Sequence, residues 1–329
     1  MRWIGLAVVL AIGFLLVPLV AEAQEAKIAR IGWLSGGPSP NPTFRMAHVN
    51  QALRDGLAES GFIENQSVTI EYRWAEEKEE RLPVLAVELV RHSVDVIIAA
   101  GPSAIRAAKS VTGSLPIVGI DLESDPVAAG FAASFARPGG NITGVFLDQA
   151  GLSGKWLELL KEAVPKLVRV AVVWDTSTPP LQLNAIKMAA KTLSLTVFTL
   201  ELRGPNDLEG VFEAAARSHA QGVVILSSPF ISRRGKELAA ASVAKRLPTI
   251  SMFLENVTAG CLISYGPSLA DGYRRLGSLA GRILRGAKPA DLPIEQPSKF
   301  DLFINLKTAK SLGLTIPQSV LGRADEVIQ

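Results

Sequence analysis

VDVIIAAGP, at Val94–Pro102, is a run of β-branched and small apolar residues that ends in glycine and proline. Such a run predicts a buried strand that turns directly into a helix. GVVILSSP, at Gly222–Pro229, has the same design, and LPIVGI (Leu115–Ile120) likewise parallels LPTISM (Leu247–Met252). Any series of βαβ units resembles itself to some degree, but proline-anchored matches at equivalent places favour two lobes of one α/β fold.

Short apolar runs alternate with amphipathic segments through both halves of the chain, which is the pattern of parallel sheets flanked by helices. In the first half, strands are predicted at Ile28–Leu34, Val68–Arg73, Val94–Ala99 and Pro116–Ile120, and helices at Phe44–Glu59, Glu80–His92 and Ser103–Val111. In the second half, strands are predicted at Arg169–Trp174, Thr196–Leu200, Gly222–Leu226 and Pro248–Met252, and helices at Leu181–Leu193, Asp207–His219 and Ser232–Lys245.

The connections between the halves predict a hinge. RPGGNITG, at Arg137–Gly144, is the clearest turn signal in the chain and is expected to end the first unit. Tyr265-Gly266-Pro267 leads into a helix predicted at Ser268–Arg285, and the chain after it is long enough to cross back. We therefore expect a multi-crossing hinge with a cleft between the lobes. The predicted ranges are 27–147 plus 267–297 for lobe 1 and 148–266 plus 298–329 for lobe 2.

Composition excludes several functional classes. The 329 residues are 48% hydrophobic and 20% charged, with a formal net charge of +3. The basic residues are scattered, which argues against nucleic-acid binding because that needs a basic face or stripe. The single cysteine, Cys261, and three widely separated histidines make a metal site unexpected, and no cofactor is predicted.

The N-terminus predicts export. A positively charged start at Arg2 is followed by an apolar stretch, Trp3–Val20, and by the small-residue site Ala21–Ala23. This is the pattern of a secretory signal peptide over residues 1–23, and its removal would leave a soluble exported protein. The apolar stretch is also just long enough to span a membrane, so an uncleaved anchor is the alternative. Pro18 and the lack of a following Lys/Arg cluster count against that alternative.

Several motifs resemble one known family. They are IGWLS (31–35), SDPVAAG (124–130), RPGGNITG (137–144), and the C-terminal PIEQPSKF (293–300), INLKTAK (304–310) and RADEVI (323–328). Together they are similar to ABC-transporter substrate-binding proteins of the tryptophan/tyrosine type, over essentially the whole chain after the signal segment.

The resemblance implies a type I periplasmic-binding fold, with two Rossmann-like lobes joined by three crossings and a ligand in the cleft. It further implies a monomeric periplasmic protein without catalytic activity, whose partners are a small molecule and an ABC permease in the inner membrane. The family does not determine the ligand, although some of its members take aromatic amino acids.

In parallel sheets, ligands lie beyond the carboxyl ends of the strands. The candidate ligand-binding residues are therefore taken from the loops at those ends and from the return to lobe 1: Trp33, Ser35, Ser103, Asp121, Trp174, Asp175, Ser228, Phe253 and Tyr265.

Each candidate has a structural alternative. Ser103 would lie at a helix N-terminus, where backbone N–H groups favour an anion, or it would simply cap that helix, and Ser228 is expected at a second helix N-terminus that favours an anion. Asp121 would receive an ammonium group or would only cap the next turn. Trp33 and Trp174 each end the first strand of a lobe, so they would form an aromatic clamp across the cleft or be core residues.

We therefore expect a ligand with an anionic end and an apolar or aromatic body, most simply an amino acid or an aromatic acid. A sugar is the rival ligand, and a cleft hydrolase or transferase is the rival function. The sequence contains no dinucleotide-binding glycine pattern, no phosphate-binding loop and no G-x-S-x-G nucleophile elbow, which argues against the enzyme.

Overall fold

Two separate β-sheets organise the chain. The computed structural model describes residues 28–39, 44–147, 149–204 and 207–329, with backbone alone at 44–48 and 149–150. The first sheet has the order β2-β1-β3-β4-β5, and its strands are all parallel. Its strands are β1 (Ala29–Ser35), β2 (Val68–Trp74), β3 (Val96–Ala100), β4 (Ile117–Asp121) and β5 (Ile142–Phe146).

Helices cover both faces of the first sheet. They are α1 (Phe44–Ala58), α2 (Leu82–Arg91), α3 (Pro102–Val111) and, from much later in the chain, α10 (Leu269–Leu284). Alternation along β3 shows the two faces: Val96 and Ile98 pack into one core cluster, whereas Ile97 and Ala99 pack into another. A strand buried on both faces must be apolar throughout, which explains the run at 94–102.

The second sheet has the order β12-β11-β10-β9-β8-β6-β7. Its strands are β6 (Arg169–Asp175), β7 (Thr196–Leu202), β8 (Gly222–Ile225), β9 (Thr249–Ser251), β10 (Ile263–Pro267), β11 (Phe300–Asn305) and β12 (Glu326–Ile328). Its helices are α4 (Gln149–Ala163), α5 (Leu181–Thr192), α6 (Leu208–Arg217), α7 (Pro229–Arg233), α8 (Gly235–Ala244), α9 (Leu254–Thr258), α11 (Leu306–Leu312) and α12 (Gln318–Leu321). The β10–β11 pair is antiparallel, so this sheet departs from the expected all-parallel pattern.

We call the first sheet with α1–α3 and α10 lobe 1, and the second sheet with its helices lobe 2. In the described residues the chain passes from one lobe to the other after β5, after β10 and before β11. Between the last two passages, Glu295 pairs with Val145 beside β5. Lobe 1 is therefore completed by a segment that follows most of lobe 2 in the sequence.

Three predicted features need correction. RPGGNITG does not separate the halves, because its residues Ile142–Gly144 belong to β5 inside the first sheet. The helix predicted at Glu80–His92 begins with a 3₁₀ turn, Glu79–Arg81, before α2. The helix predicted at Ser232–Lys245 is two helices, and the first of them, α7, begins three residues early because the Ser228 hydroxyl accepts from the Ile231 N–H and caps it.

Helix α10 returns to lobe 1 by packing very closely against α1. A Cβ atom placed on Gly56 would lie 1.9 Å from the Arg274 carbonyl oxygen, and one on Gly277 would lie 2.2 Å from the Leu53 carbonyl oxygen. Both contacts are with backbone, which cannot move aside as a flexible side chain can. The two glycines therefore allow the helix axes to approach each other.

We expect Gly277→Ala to lower the free energy of unfolding by at least about 1–3 kcal/mol, because the added methyl overpacks a backbone contact. Gly210→Ala is the matched control, since Gly210 is also helical and its added Cβ meets nothing within 4 Å. That control should gain up to about 1 kcal/mol from helix propensity. Urea unfolding of both variants measures the difference, and equal effects would contradict the close packing.

Candidate ligand-binding site

A cavity of about 500 Å³ lies at the carboxyl ends of the first-sheet strands, where lobe 2 faces lobe 1. Lobe 1 contributes aromatic rings, glycine-rich loops and two carboxylates to its wall, and lobe 2 contributes the turn into α7 and one phenylalanine. The side chains that matter below are Trp33, Ser35, Trp74, Glu79, Ser103, Glu123, Ser228, Arg233, Phe253 and Tyr273. This combination of apolar lining with a few polar groups is typical of a small-molecule site.

Aromatic rings form one wall of the cavity. Trp33 is almost fully buried, and its ring centroid lies 5.9 Å from that of Trp74 and 5.8 Å from that of Tyr273. The parallel register of β1 and β2 brings the first two residues together, since it pairs Ser35 with Trp74. The three rings offer an apolar surface to a ligand, with a fourth, Phe253, across the cleft on lobe 2.

The expected Trp33–Trp174 clamp is not formed. Along β6, Trp174 lies on the same face as Val170 and Val172, so its partly buried ring packs against the core instead of lining the cavity. Tyr265 does not line the cavity either. Its ring stacks on Phe300 at 5.7 Å.

The three candidate serines all line the cavity, but Ser103 is not the helix cap that its alternative describes. Ser103 does not cap α3, because that helix begins at Pro102 with Gly101 as its N-cap, and the Ser103 hydroxyl donates to Glu79 Oε2 at 2.8 Å. Ser35 Oγ accepts from the Gly37 N–H at 3.2 Å. Ser228 lies at a helix N-terminus as expected and caps that helix, since its hydroxyl accepts from Ile231 N at 3.0 Å.

Asp121 is a turn residue. Its Oδ1 accepts from the N–H groups of Glu123 at 2.8 Å and Ser124 at 3.0 Å, which is the capping alternative. Asp121 is fully buried and does not line the cavity, whereas Glu123, two residues later, does. The carboxyl of this loop that faces the cavity is therefore Glu123, a residue that the sequence placed in the correct loop without singling it out.

Glu123 also joins the two lobes. Ser227 Oγ of lobe 2 donates to Glu123 Oε1 at 2.6 Å. Gln182 holds the backbone of Ser227 in place. Its side-chain amide accepts from the Ser227 N–H and donates to the Ser227 carbonyl, each at 2.8 Å. Burial, together with the negative charge of Asp121, raises the pKa of Glu123 to about 8.

Arg233 supplies a positive charge from lobe 2. Its Nε lies 3.3 Å from Glu77 Oε1 of lobe 1 but makes no hydrogen bond among the described residues. Burial lowers the pKa of the guanidinium, and the charges of Glu77 and Glu79 oppose that shift. Arg233 was not among the predicted site residues. The predicted helix began at Ser232, so the short helix that ends at Arg233 was not recognised.

Asp175 lies near this charge without lining the cavity. Its Oδ1 accepts from the Ser177 N–H at 2.9 Å, and its negative charge acts on Arg233. Within the part of the chain that is described, no group of three His, Cys, Asp or Glu side chains is arranged to hold a metal ion.

Similarity to known proteins identifies the family of this chain. A family model described as ABC transporter substrate binding protein matches residues 45–328. The chain belongs to this family. Family membership and fold agree with the resemblance inferred from the sequence motifs, and proteins of this kind bind small ligands and work with ABC permeases rather than catalysing reactions.

Individual relatives cover most of the chain. A tyrosine-binding protein of Clostridioides difficile is 23% identical over 266 residues, which is 78% of this chain and 74% of that protein. The structure of an ABC domain in complex with L-Trp from Streptococcus pneumonia is 26% identical with a TM-score of 0.82, covering 91% of this chain and 99% of that one. A conserved domain protein of Vibrio cholerae has a TM-score of 0.83 at 22% identity, covering 92% and 100%.

The structure bears on only part of the export prediction. The signal segment expected at residues 1–23 lies outside the described residues. Within the described ranges, no helix combines the length and apolarity needed to cross a bilayer.

We expect the stability of the protein to fall between pH 5 and pH 8 because of Glu123. This carboxyl ionises near pH 4.3 when unfolded and near pH 8 when folded, so the folded state binds more protons in between. The free energy of unfolding then decreases as pH rises, by about 1.4 kcal/mol per pH unit for one proton. Urea unfolding at several pH values measures this slope.

Glu123→Gln should flatten that slope, because an amide cannot ionise. Glu158→Gln is the matched control, since Glu158 is an exposed helical residue whose ion pair within the described residues is with Lys155. The control should keep the wild-type slope. An unchanged slope in Glu123→Gln would show that this carboxyl does not titrate as described.

Proposed function

We propose that this protein is the solute-binding component of an ABC uptake transporter, which captures a small molecule between its lobes and delivers it to an inner-membrane permease. The observation that carries the proposal is the cavity between the lobes, which combines aromatic rings with one buried carboxyl and one guanidinium. Family membership supports the transport role. We further propose a monomer that is exported to the periplasm after cleavage of residues 1–23.

The ligand that we propose is an aromatic amino acid. Trp33, Trp74, Tyr273 and Phe253 suit an aromatic body, since all four line one cavity. Opposite charges on the wall suit a zwitterion. Relatives whose names specify tyrosine and tryptophan support this class.

Arg233 is our candidate for the carboxylate of that ligand. A guanidinium presents several N–H donors in a planar fork that matches a carboxylate. The first turn of α3 lines the same cavity, and its Ser103 and Ala104 N–H groups have no carbonyl acceptor within the helix. The positive end of that helix favours an anion there.

The presence of Arg233 also bears on the sugar alternative. Sugar hydroxyl groups need polar side chains as partners, and Arg233, which lines the cavity, can serve as one of them. The aromatic wall still favours a flat apolar body, and the binding assay below includes sugars as competitors for this reason.

We expect L-tryptophan or L-tyrosine to raise the melting temperature. A ligand at about 100 times its Kd adds about 2.7 kcal/mol of stability. A thermal-shift screen against the common amino acids, sugars and small organic acids tests this. Recovery of the added compound unchanged separates binding from catalysis by a cleft enzyme. Stabilisation by sugars alone would contradict the proposed ligand class.

Arg233→Met should weaken amino-acid binding by about 10- to 100-fold, because one charge-assisted contact is worth about 1.5–3 kcal/mol. Arg234→Met is the matched control: Arg234 also pairs with Glu77, at 3.5 Å, but does not line the cavity. The control should stay within about threefold of wild type. Calorimetric titration measures both, and equal losses would assign the effect to the ion pairs with Glu77.

A further inference from the structure

Asp121 and Glu123 form a buried pair of carboxyls at the cavity wall. Asp121 is 0% exposed and Glu123 5%. Asp121 Oδ1 accepts hydrogen bonds from two backbone N–H groups, whereas Oδ2 is buried and has no hydrogen-bond partner among the described residues. Among the described residues, no Lys, Arg or His acts as a charge partner of either carboxyl.

Such a pair cannot carry two negative charges at low cost. Each carboxylate disfavours ionisation of the other, and burial disfavours both charges, so protons leave the pair in coupled steps. The pKa of Asp121 is raised mainly by burial, and that of Glu123 by burial and then by Asp121. At neutral pH the pair therefore retains a proton unless a cation replaces it.

The other charged or titratable groups around the cavity come from separate elements. Lobe 1 presents Glu79 before α2 and Tyr273 on α10, and lobe 2 presents Arg233 at the end of α7. Asp175 acts on Arg233, and the Ser227 hydroxyl is the group that faces Glu123 from lobe 2. His48 precedes cavity-lining Val49 in the sequence and requires its own control.

We propose that Asp121 and Glu123 form a cation subsite, in which the ammonium group of the ligand replaces a proton that the pair shares in the ligand-free protein. This rests on the proposed function, because it assigns the ammonium end of the same ligand. Glu123 contacts the cation, since it lines the cavity. Asp121 is a positioning residue, which holds the turn and keeps the pair protonated.

The exchange balances in protons and charge. The ligand-free pair gives up one proton to the solvent, and the ammonium, which keeps all its own protons, takes the place of that positive charge. An ammonium offers three N–H donors, and the pair has more acceptor oxygens than the protein itself uses. Binding of a ligand that lacks the ammonium would leave the proton in place.

Matched probes separate the two ends of the ligand. L-tryptophan carries both charges, tryptamine carries the ammonium alone, and indole-3-propionate carries the carboxylate alone. We expect L-tryptophan and tryptamine to bind about tenfold more weakly for each pH unit below pH 7, since one proton competes with them. Indole-3-propionate should show no such dependence over the same range.

Calorimetry in buffers of different ionisation enthalpy counts the protons directly. At pH 6.5, L-tryptophan should release about one proton per site, and indole-3-propionate about none. Glu123→Gln should abolish the release and weaken tryptophan binding about 10- to 100-fold at pH 8. At pH 5.5 that variant should differ from wild type by less than about threefold, because the wild-type carboxyl is then protonated as well.

Two further variants test the assignment within the pair. Asp121→Asn removes the neighbouring charge while keeping an oxygen for the two N–H groups, so the pH dependence should move to lower pH. A residue with a purely structural role would change affinity without moving that profile. His48→Gln should leave the proton release unchanged, and loss of the release in this variant would overturn the proposal.

The outcomes distinguish the subsite from the proposed function. Tryptophan binding without proton release or pH dependence would overturn the cation subsite and leave the solute-binding function intact. Binding of indole-3-propionate, with no binding of tryptophan or tryptamine at pH 8, would also overturn the cation subsite and leave the solute-binding function intact. Failure of tryptophan, tyrosine, tryptamine and indole-3-propionate to bind would overturn both the subsite and the proposed aromatic ligand.

Discussion

The hydrogen bond from Ser227 to Glu123 connects the two lobes at the cavity wall, and its 2.6 Å length brings a carboxyl from one lobe into contact with the other. A carboxylate in that position loses its hydration. No cationic side chain among the described residues compensates for that loss. The approach of the lobes is thus tied to the charge of one residue. Gln182 makes this contact specific, because it holds both backbone polar groups of Ser227 and leaves the hydroxyl for Glu123.

The alternation of strands and helices could be predicted from the sequence because apolar periodicity is a local property. The runs that became β3, β4, β6 and β8 are apolar on both faces, which only a covered parallel sheet requires. Because both faces of these strands are apolar, the sequence does not show on which face each side chain lies. Trp174 lies near the carboxyl end of its strand as Trp33 does, yet its side chain packs against the core without lining the cavity, and two equally apolar faces give no sign of which one approaches the cavity.

The site could be predicted as a set of loops but not as a set of side chains. Parallel topology brings together the carboxyl ends of the strands, where Ser35 ends β1, Ser103 lies in the first turn of α3, and Glu123 and Ser228 lie in loops. Which residue of a loop faces inward depends on hydrogen bonds that form only in the folded turn. Asp121 takes two N–H groups and turns the chain, so Glu123 reaches the cavity in its place.

Two side chains that contact the opposite lobe also line the cavity. Glu123 of lobe 1 contacts Ser227 of lobe 2, and Arg233 of lobe 2 lies beside Glu77 of lobe 1, while both also line the cavity. A ligand of opposite polarity at its two ends changes the electrostatic cost of each contact as it binds. Exposed ion pairs contribute little by themselves, so under the proposed function the buried Glu123 would determine most of the effect of a ligand on the contact between the lobes. The lobes would then be coupled through the burial of Glu123 and the partial burial of Arg233.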